Sequence, residues 1–268
     1  MHTGREELTT SLLRIDRSAP LRRLSVAETS ILLAVAAAAW LTTIALATDM
    51  DVMPGTMGLG LVAFLGAWTL MMAAMMLPSI SPLTSLYTRT MRGHRIRRVT
   101  LLAAGYLAVW AAAGMLAFAL AAGAEHLADA APGWAETVAI ATCVACGIYQ
   151  LTPAKERCLQ HCRTPLGHLL RYTSWRGPLL DTRVGIDHGA WCLGCCWALM
   201  VLLVTFGVMN VVAMVALAAV IVIEKVVVPR RWFSVAIGAG AFGLAIAIWI
   251  DPALASGFYP AATMGMNM

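Results

Sequence analysis

Methionine and cysteine supply most of the side chains that could do chemistry in this chain, which contains 16 methionines and 7 cysteines. One run contains two methionine pairs with i, i+4 spacing, Met71 with Met75 and Met72 with Met76. Residues four apart stack on one side of a helix, so the run predicts a surface of thioethers. Thioethers are ligands for Cu(I), but methionine is also a flexible apolar filler, and both interpretations stay open.

A second group combines thiols with an imidazole at spacings of four, three and one residues, and comprises His188, Cys192, Cys195 and Cys196. These spacings place all four side chains on one helical stripe, which Met200 extends by a turn. We interpret Asp187 as the N-cap of that helix. Thiolate and imidazole ligands suit Cu(I), Zn²⁺ or an iron–sulfur cluster. The alternative is that these cysteines pack as small hydrophobic residues.

Two further cysteine groups precede that stripe. Cys143 and Cys146 are three residues apart and share one face of a predicted helix. Beyond them, one helical turn would bring together Cys158, His161 and Cys162. A Cys-x3-Cys pair with an intervening histidine predicts a metal site, although less specifically than two paired Cys-x2-Cys motifs. The Cys-x2-Cys spacing is also used by thiol–disulfide oxidoreductases, which are the alternative class of function.

The elements that must position these groups are long apolar segments. The chain is 60% hydrophobic and 12% charged, whereas a soluble domain carries about 25% charged residues. Seven segments are almost free of charge: 27–47, 58–78, 99–123, 134–153, 189–209, 211–228 and 232–250. Most reach the roughly 17–25 residues that cross a bilayer as a helix, and they lack the alternation of barrel strands. The sequence therefore predicts an all-α, polytopic transmembrane bundle of about seven helices.

The 19 basic residues predict the orientation of the bundle. With seven helices, all of them fall before the first helix or in the connections after the second, fourth and sixth helices. Cytoplasmic loops attract Lys and Arg, so we expect a cytoplasmic N-terminus and a periplasmic C-terminus. This distribution indicates that the basic residues, which give the net charge of +5, set the membrane orientation and contact lipid head groups. It argues against nucleic acid as a partner. The alanine-rich composition favours a bacterial inner membrane.

We predict a basic cytoplasmic segment over 1–26, a transmembrane domain over 27–250 with a cytoplasmic Cys/His loop at 154–187, and a periplasmic tail over 251–268. Two prolines, Pro78 and Pro82, are expected to end the second helix. We expect Glu224 and Lys225 to pair with each other or to extend toward the inner surface.

Depth in the membrane connects the metal-ligating groups. At about 1.5 Å per residue, the methionine run and the cysteines of the fourth and fifth helices lie at one level in the cytoplasmic half. Cys158, His161 and Cys162 then lie at the cytoplasmic mouth. Separate outer methionines are interpreted either as copper collectors or as ordinary loop and tail sequence: Met50, Met53, Met57, Met264, Met266 and Met268.

Three motifs resemble a bacterial family described as predicted metal-binding integral membrane proteins, domain of unknown function 2182. The motifs are WTLMMAAMMLPS at 68–79, YQLTP at 149–153 with Lys155, Cys158, Cys162 and Arg163, and 185–200 with its CLGCCW core continuing to Glu224 and Lys225. The resemblance covers about residues 58–228. It implies a multi-pass bacterial membrane protein with a metal site, and it does not imply a particular activity.

The sequence favours a non-enzymatic protein that handles or transports a soft metal ion, with Cu(I) preferred over Zn²⁺. The alternatives are a membrane thiol–disulfide oxidoreductase and a scaffold whose cysteines only pack. The expected partners are the lipid bilayer, the metal ion and a membrane or periplasmic protein. Small residues along the last helix, including Gly238, Gly240 and Gly243, allow a homo-oligomer without requiring one.

Overall fold

The computed structural model describes residues 20–49, 55–90, 94–164, 171–172, 174–175, 177–227 and 231–255. Within these ranges the chain is helical almost throughout, which confirms the all-α transmembrane bundle. The helices are α1 (Pro20–Asp49), α2 (Leu61–Thr90), α3 (Arg95–Ala130), α4 (Pro132–Leu151), α5 (Pro153–Arg163), α6 (Leu180–Thr205), α7 (Val211–Val222) and α8 (Arg231–Ile250). A π-helical turn, Ile223–Val227, continues α7, and a 3₁₀ turn, Pro252–Leu254, follows α8.

Six of the described helices are long and apolar enough to cross a membrane, namely α1, α2, α3, α4, α6 and α8. The predicted division of 189–228 into two helices is confirmed, but α7 has only 12 residues before its π-helical turn. Asn210 caps α7 by accepting a hydrogen bond from the backbone N–H of Ala213. The far end of α7 returns to the level of Cys192, because Lys225 Nζ lies 2.9 Å from Cys192 Sγ.

The predicted end of the second helix at Pro78 and Pro82 is wrong, because α2 continues through both prolines to Thr90. A proline has no N–H to donate, so Pro82 leaves the carbonyl of Pro78 without its usual helical partner. The Ser81 hydroxyl donates to that carbonyl at 2.9 Å. Hydroxyl groups of this kind allow transmembrane helices to contain prolines.

The interpretation of Asp187 as a helix N-cap is also wrong. The helix begins at Leu180 rather than near 189, so Asp187 lies inside α6. Its carboxylate accepts a hydrogen bond from the Tyr172 hydroxyl at 2.8 Å. The first turns of α6 are polar, so a search of the sequence for long apolar segments does not find them. Together with α5, they make much of the predicted loop at 154–187 helical.

Close packing of α3 against α6 depends on glycine. A Cβ added at Gly185 would lie 2.0 Å from the carbonyl oxygen of Leu102 and 2.9 Å from the backbone nitrogen of Tyr106. At Gly105, an added Cβ would lie 2.2 Å from the carbonyl oxygen of Thr182. Small residues let helix backbones approach closely inside a membrane. This approach brings the Tyr106 hydroxyl within 2.9 Å of Cys192 Sγ.

Gly185→Ala is expected to destabilise the bundle by about 1–3 kcal/mol, because the added methyl group overlaps backbone atoms that cannot rotate away. Unfolding of the purified protein in detergent, followed by tryptophan fluorescence, measures this change. Gly243→Ala is the matched control, since an added Cβ there meets no atom within 4 Å. Equal stabilities for the two variants would contradict the close α3–α6 contact.

Candidate metal centre

Three thiols of α6 form the centre of the candidate site. Cys192, Cys195 and Cys196 are free cysteines with at most 1% of their surface exposed. Their sulfur atoms all lie within 4.8 Å of one another, and the Sγ atoms of Cys195 and Cys196 are 3.3 Å apart. The helical stripe predicted from the spacing is therefore present, and its thiols converge inside the bundle.

A fourth thiol comes from a different element. Cys162, near the end of α5, places its Sγ 3.9 Å from that of Cys195 and also hydrogen bonds to Cys192. Thr152 fixes the start of α5 because its side chain accepts a hydrogen bond from the N–H of Lys155. The hydrogen bond with Cys192 raises the pKa of Cys162, and burial adds to this effect. Metal binding at Cys162 must therefore displace a proton. We call Cys162, Cys192, Cys195 and Cys196 the four-thiol cluster.

The spacing of the four-thiol cluster fits a metal ion bound through sulfur. With metal–sulfur bonds of about 2.3 Å, two sulfur ligands are separated by about 3.8 Å in tetrahedral geometry and about 4.0 Å in trigonal geometry. The separation of 3.9 Å between Cys162 and Cys195 falls in this range. The closer pair, Cys195 and Cys196, would need to open from 3.3 Å by roughly half an ångström.

A cation lies directly beside the thiols. Lys225, on the π-helical turn, is 7% exposed and donates a hydrogen bond from Nζ to Cys192 Sγ at 2.9 Å. The Tyr106 hydroxyl lies at the same distance from that sulfur. A buried ammonium group is costly without a partner, and it stabilises negative charge on a neighbouring atom. The arrangement therefore favours a thiolate at Cys192, and π-helical turns frequently occur at functional sites.

The preceding residue, Glu224, faces a different partner. Its two carboxylate oxygens accept hydrogen bonds from Lys155 Nζ at 2.7 and 2.9 Å, and Ser234 Oγ donates to Oε1 at 2.7 Å. Lys155 also donates to Gln150 Oε1. Arg163 donates twice to the Glu224 backbone carbonyl. The expectation that Glu224 and Lys225 pair with each other or extend to the surface is therefore wrong. Each is buried, and Glu224 joins the π-helical turn to α5 and α8.

Asp187 and His188 lie about one helical turn before Cys192 on α6, and His161 directly precedes Cys162 on α5. His161 Nε2 is 3.8 Å from Asp187 Oδ2, and the rings of His161 and His188 are 6.4 Å apart. The Trp191 ring stacks on His161 at 4.4 Å. Burial, followed by the hydrogen bond to Asp187, raises the pKa of Tyr172, so its phenol stays protonated as the donor to that carboxylate. The contacts of Tyr106 with Cys192 and of Tyr172 with Asp187 were not predicted from the sequence.

The other predicted ligands lie outside the four-thiol cluster. Met71, Met72, Met75 and Met76 are at most 1% exposed on α2, which contacts α1, α3, α7 and the π-helical turn. Cys143 and Cys146 are buried on α4, where Cys146 interacts with Gln150 and Lys155. Cys158 Sγ packs beside Gly194 on α6.

Among the outer methionines, Met57 is buried and adopts a positive φ of 58°. Met50, Met53, Met264, Met266 and Met268 lie outside the described residues, as do 1–19 of the predicted cytoplasmic segment and 256–268 of the predicted tail. The copper-collecting role suggested for the outer methionines stays a prediction.

The fold and the site define a multi-pass membrane protein with a buried thiol cluster beside a lysine. A family model described as PpoB2, copper chaperone, matches residues 65–248. The chain belongs to this copper chaperone family. The match confirms the metal-related character predicted from the motifs, under a different family name. No curated protein and no solved structure matches the chain.

Proposed function

We propose that this protein holds Cu(I) as cargo in the four-thiol cluster and passes it to an acceptor protein at a bacterial inner membrane. The main observation in support is that Cys162 and three thiols of α6 converge beside the ammonium of Lys225. Membership of the copper chaperone family supports copper as the metal. Soft thiolate ligands favour Cu(I) over harder cations.

Charge balance supports two thiolates for each Cu(I) ion. A thiolate at Cys192 balances Lys225 in the metal-free protein. When Cu(I) binds, a second thiol gives up its proton, and two thiolates then balance one Cu(I) and one ammonium. The buried centre is neutral before and after loading, which avoids the cost of an isolated charge in a low-dielectric site.

Ligands on two different helices suit a protein that must release its cargo. Cys162 is half-buried on α5, whereas the other three thiols are buried on α6. An incoming ligand from an acceptor would replace Cys162 first, since this thiol is the accessible one. Cys158 and His161 lie on the same short helix and would assist in exchange at the cytoplasmic mouth. The methionines of α2 would serve as weaker ligands, beside the π-helical turn.

Metal content tests the proposal directly. The purified protein, reduced and reconstituted with Cu(I), is compared by elemental mass spectrometry with a Cys192→Ser/Cys195→Ser/Cys196→Ser variant. We expect stoichiometric copper in the wild type and its loss from the variant. Cys143→Ser/Cys146→Ser is the matched control, because it removes two buried thiols outside the four-thiol cluster and should retain copper.

The alternatives give different results. Zinc in place of copper, lost with the same three thiols, would keep the site but contradict Cu(I) as the cargo. No metal in either protein, together with a trapped mixed disulfide to a partner, would favour the thiol–disulfide oxidoreductase. Copper retained in the triple variant would place the metal elsewhere in the protein.

A further inference from the structure

We propose that Arg163 is a positioning residue of the proposed copper site, which holds its neighbour Cys162 and the cation of Lys225 together beside the thiols of α6. The inference rests on the proposed function for its consequence for copper, whereas the positioning itself can be measured without metal. Arg163 is the last residue of α5, and its side chain is only 8% exposed. A guanidinium group buried to this extent needs hydrogen-bond partners.

The shortest contacts of Arg163 are with a backbone carbonyl. Its Nε and Nη2 donate hydrogen bonds of 3.0 and 2.8 Å to the carbonyl oxygen of Glu224. Glu224 is one of the last four residues of the π-helical turn, and carbonyls at the end of a helix lack a partner within it. A cation is also favoured at this end of a helix. The planar guanidinium group therefore satisfies the carbonyl and fixes the direction from which α5 approaches it.

Each side of this contact is one residue away from a group of the proposed site. Cys162 directly precedes Arg163, and its Sγ lies 3.9 Å from a thiol of α6. Lys225 directly follows Glu224, and its Nζ lies 2.9 Å from another thiol of α6. The contact therefore sets the position of the accessible thiol relative to the position of the cation.

The two sides of the contact are not held equally well. The carboxylate of Glu224 is bound by Lys155 and Ser234, so the π-helical turn has further attachments to α5 and α8. The last turn of α5 is otherwise held by the thiol contact of 3.9 Å and by the stacking of His161 on Trp191. Hydrogen bonds from a charged group are stronger than either of these contacts. Loss of the Arg163 side chain is therefore expected to loosen the end of α5 while the π-helical turn keeps its place.

The position of Arg163 bears on the release of copper. In the proposed exchange an acceptor replaces Cys162 first, and this thiol can leave only when the end of α5 moves away from the π-helical turn. The two hydrogen bonds of Arg163 oppose that movement. The rate at which bound Cu(I) leaves the protein is therefore expected to depend on Arg163.

Alkylation of the metal-free protein measures the position of Cys162 directly. The reduced full-length protein in lipid bicelles is treated with iodoacetamide, and each cysteine is quantified by peptide mass spectrometry. In Arg163→Met we expect Cys162 to react about ten- to a hundredfold faster than in the wild type, the change that corresponds to loss of one hydrogen bond from a charged group. The lost charge alone would slow the reaction, because a neighbouring cation favours the reactive thiolate. Cys143, buried on α4, should react at an unchanged rate.

Three further variants isolate the contact with the carbonyl. Glu156→Gln removes the other charged partner of Arg163, 3.9 Å away, and Arg157→Met removes an exposed basic residue of the same helix. Both should leave Cys162 as protected as in the wild type. Arg163→Lys keeps the charge without the planar group, so Cys162 should react at a rate between those of the wild type and Arg163→Met. A wild-type rate at Cys162 in a folded Arg163→Met variant would overturn the positioning role.

Transfer of Cu(I) from the loaded protein to a chromophoric chelator completes the test, and it should be about tenfold faster for Arg163→Met. Faster alkylation without faster transfer would overturn the role of Arg163 at the copper site. If Arg163→Met unfolds, Cys143 will react as fast as Cys162. Arg163→Lys then decides the question, and a wild-type rate at Cys162 in that variant would overturn the proposal. Absence of copper from the wild type and every variant would contradict the proposed function, whereas the alkylation result for Arg163 would stand.

Discussion

Glu224→Gln is expected to destabilise the folded protein by about 3–5 kcal/mol, the cost of leaving one charge of a buried ion pair without its partner. Lys155 and Glu224 are both 0% exposed, and Lys155 Nζ contacts both carboxylate oxygens. Glutamine keeps the shape of the side chain but leaves the Lys155 ammonium uncompensated. Unfolding in mixed micelles, followed by circular dichroism, measures the loss.

A second ion pair supplies the control. Glu156→Gln weakens a contact of 3.9 Å with Arg163 on the same helix, where the Glu156 side chain is 25% exposed. Partly solvated pairs contribute about 0–1 kcal/mol, so this variant should unfold close to the wild type. Lys155→Met combined with Glu224→Leu should recover most of the stability lost in Glu224→Gln. Equal effects of the two single substitutions would show that burial does not strengthen the Lys155–Glu224 pair.

Lys225→Met is expected to weaken Cu(I) binding by about 10–100-fold, the size of effect seen when an outer-shell partner of a metal ligand is removed. In the proposed site the ammonium of Lys225, 2.9 Å from Cys192 Sγ, stabilises a thiolate there, and methionine has a similar length without the charge. Competition against a chromophoric Cu(I) chelator measures the affinity. Lys225→Arg retains the charge and should lose less affinity than Lys225→Met.

Arg157→Met is the matched control for removal of a basic residue. Arg157 is exposed on α5 and lies outside the four-thiol cluster, so its loss should leave the Cu(I) affinity close to that of the wild type. If Lys225→Met and Arg157→Met bind Cu(I) equally well, Lys225 does not stabilise the metal ligands. A folded Lys225→Met variant with wild-type affinity would lead to the same conclusion.

Helical periodicity predicted that three thiols of α6 lie together, as they do in the structure, whereas their role as metal ligands stays a prediction. The spacing of Cys192, Cys195 and Cys196 requires one stripe in any α-helix, and an apolar membrane segment without the alternation of a barrel strand has to be helical. The structure adds that this stripe faces the interior. The presence of a transmembrane helical bundle was also predictable, because a long apolar segment in lipid forms a spanning helix.

The remaining features depend on contacts between distant parts of the chain. Lys225 and Glu224 are adjacent in sequence, yet Lys225 contacts Cys192 and Glu224 contacts Lys155. These different partners follow only from the packing of α5, α6 and the π-helical turn. Hydropathy could not extend α6 back to Leu180, because the added turns are polar. It also could not show that Ser81 supplies the hydrogen bond that Pro82 removes.

The position of Lys225 in the chain has a consequence for biosynthesis. The four thiols belong to residues 162–196, whereas Lys225 and Glu224 follow about 30 residues later, and Ser234, which donates to Glu224, lies on α8. A nascent chain that ends before residue 225 contains every thiol of the cluster and none of its charge compensation. Copper loading at the full affinity of the proposed site therefore follows the insertion of α7 and its π-helical turn, when most of the protein has been synthesised.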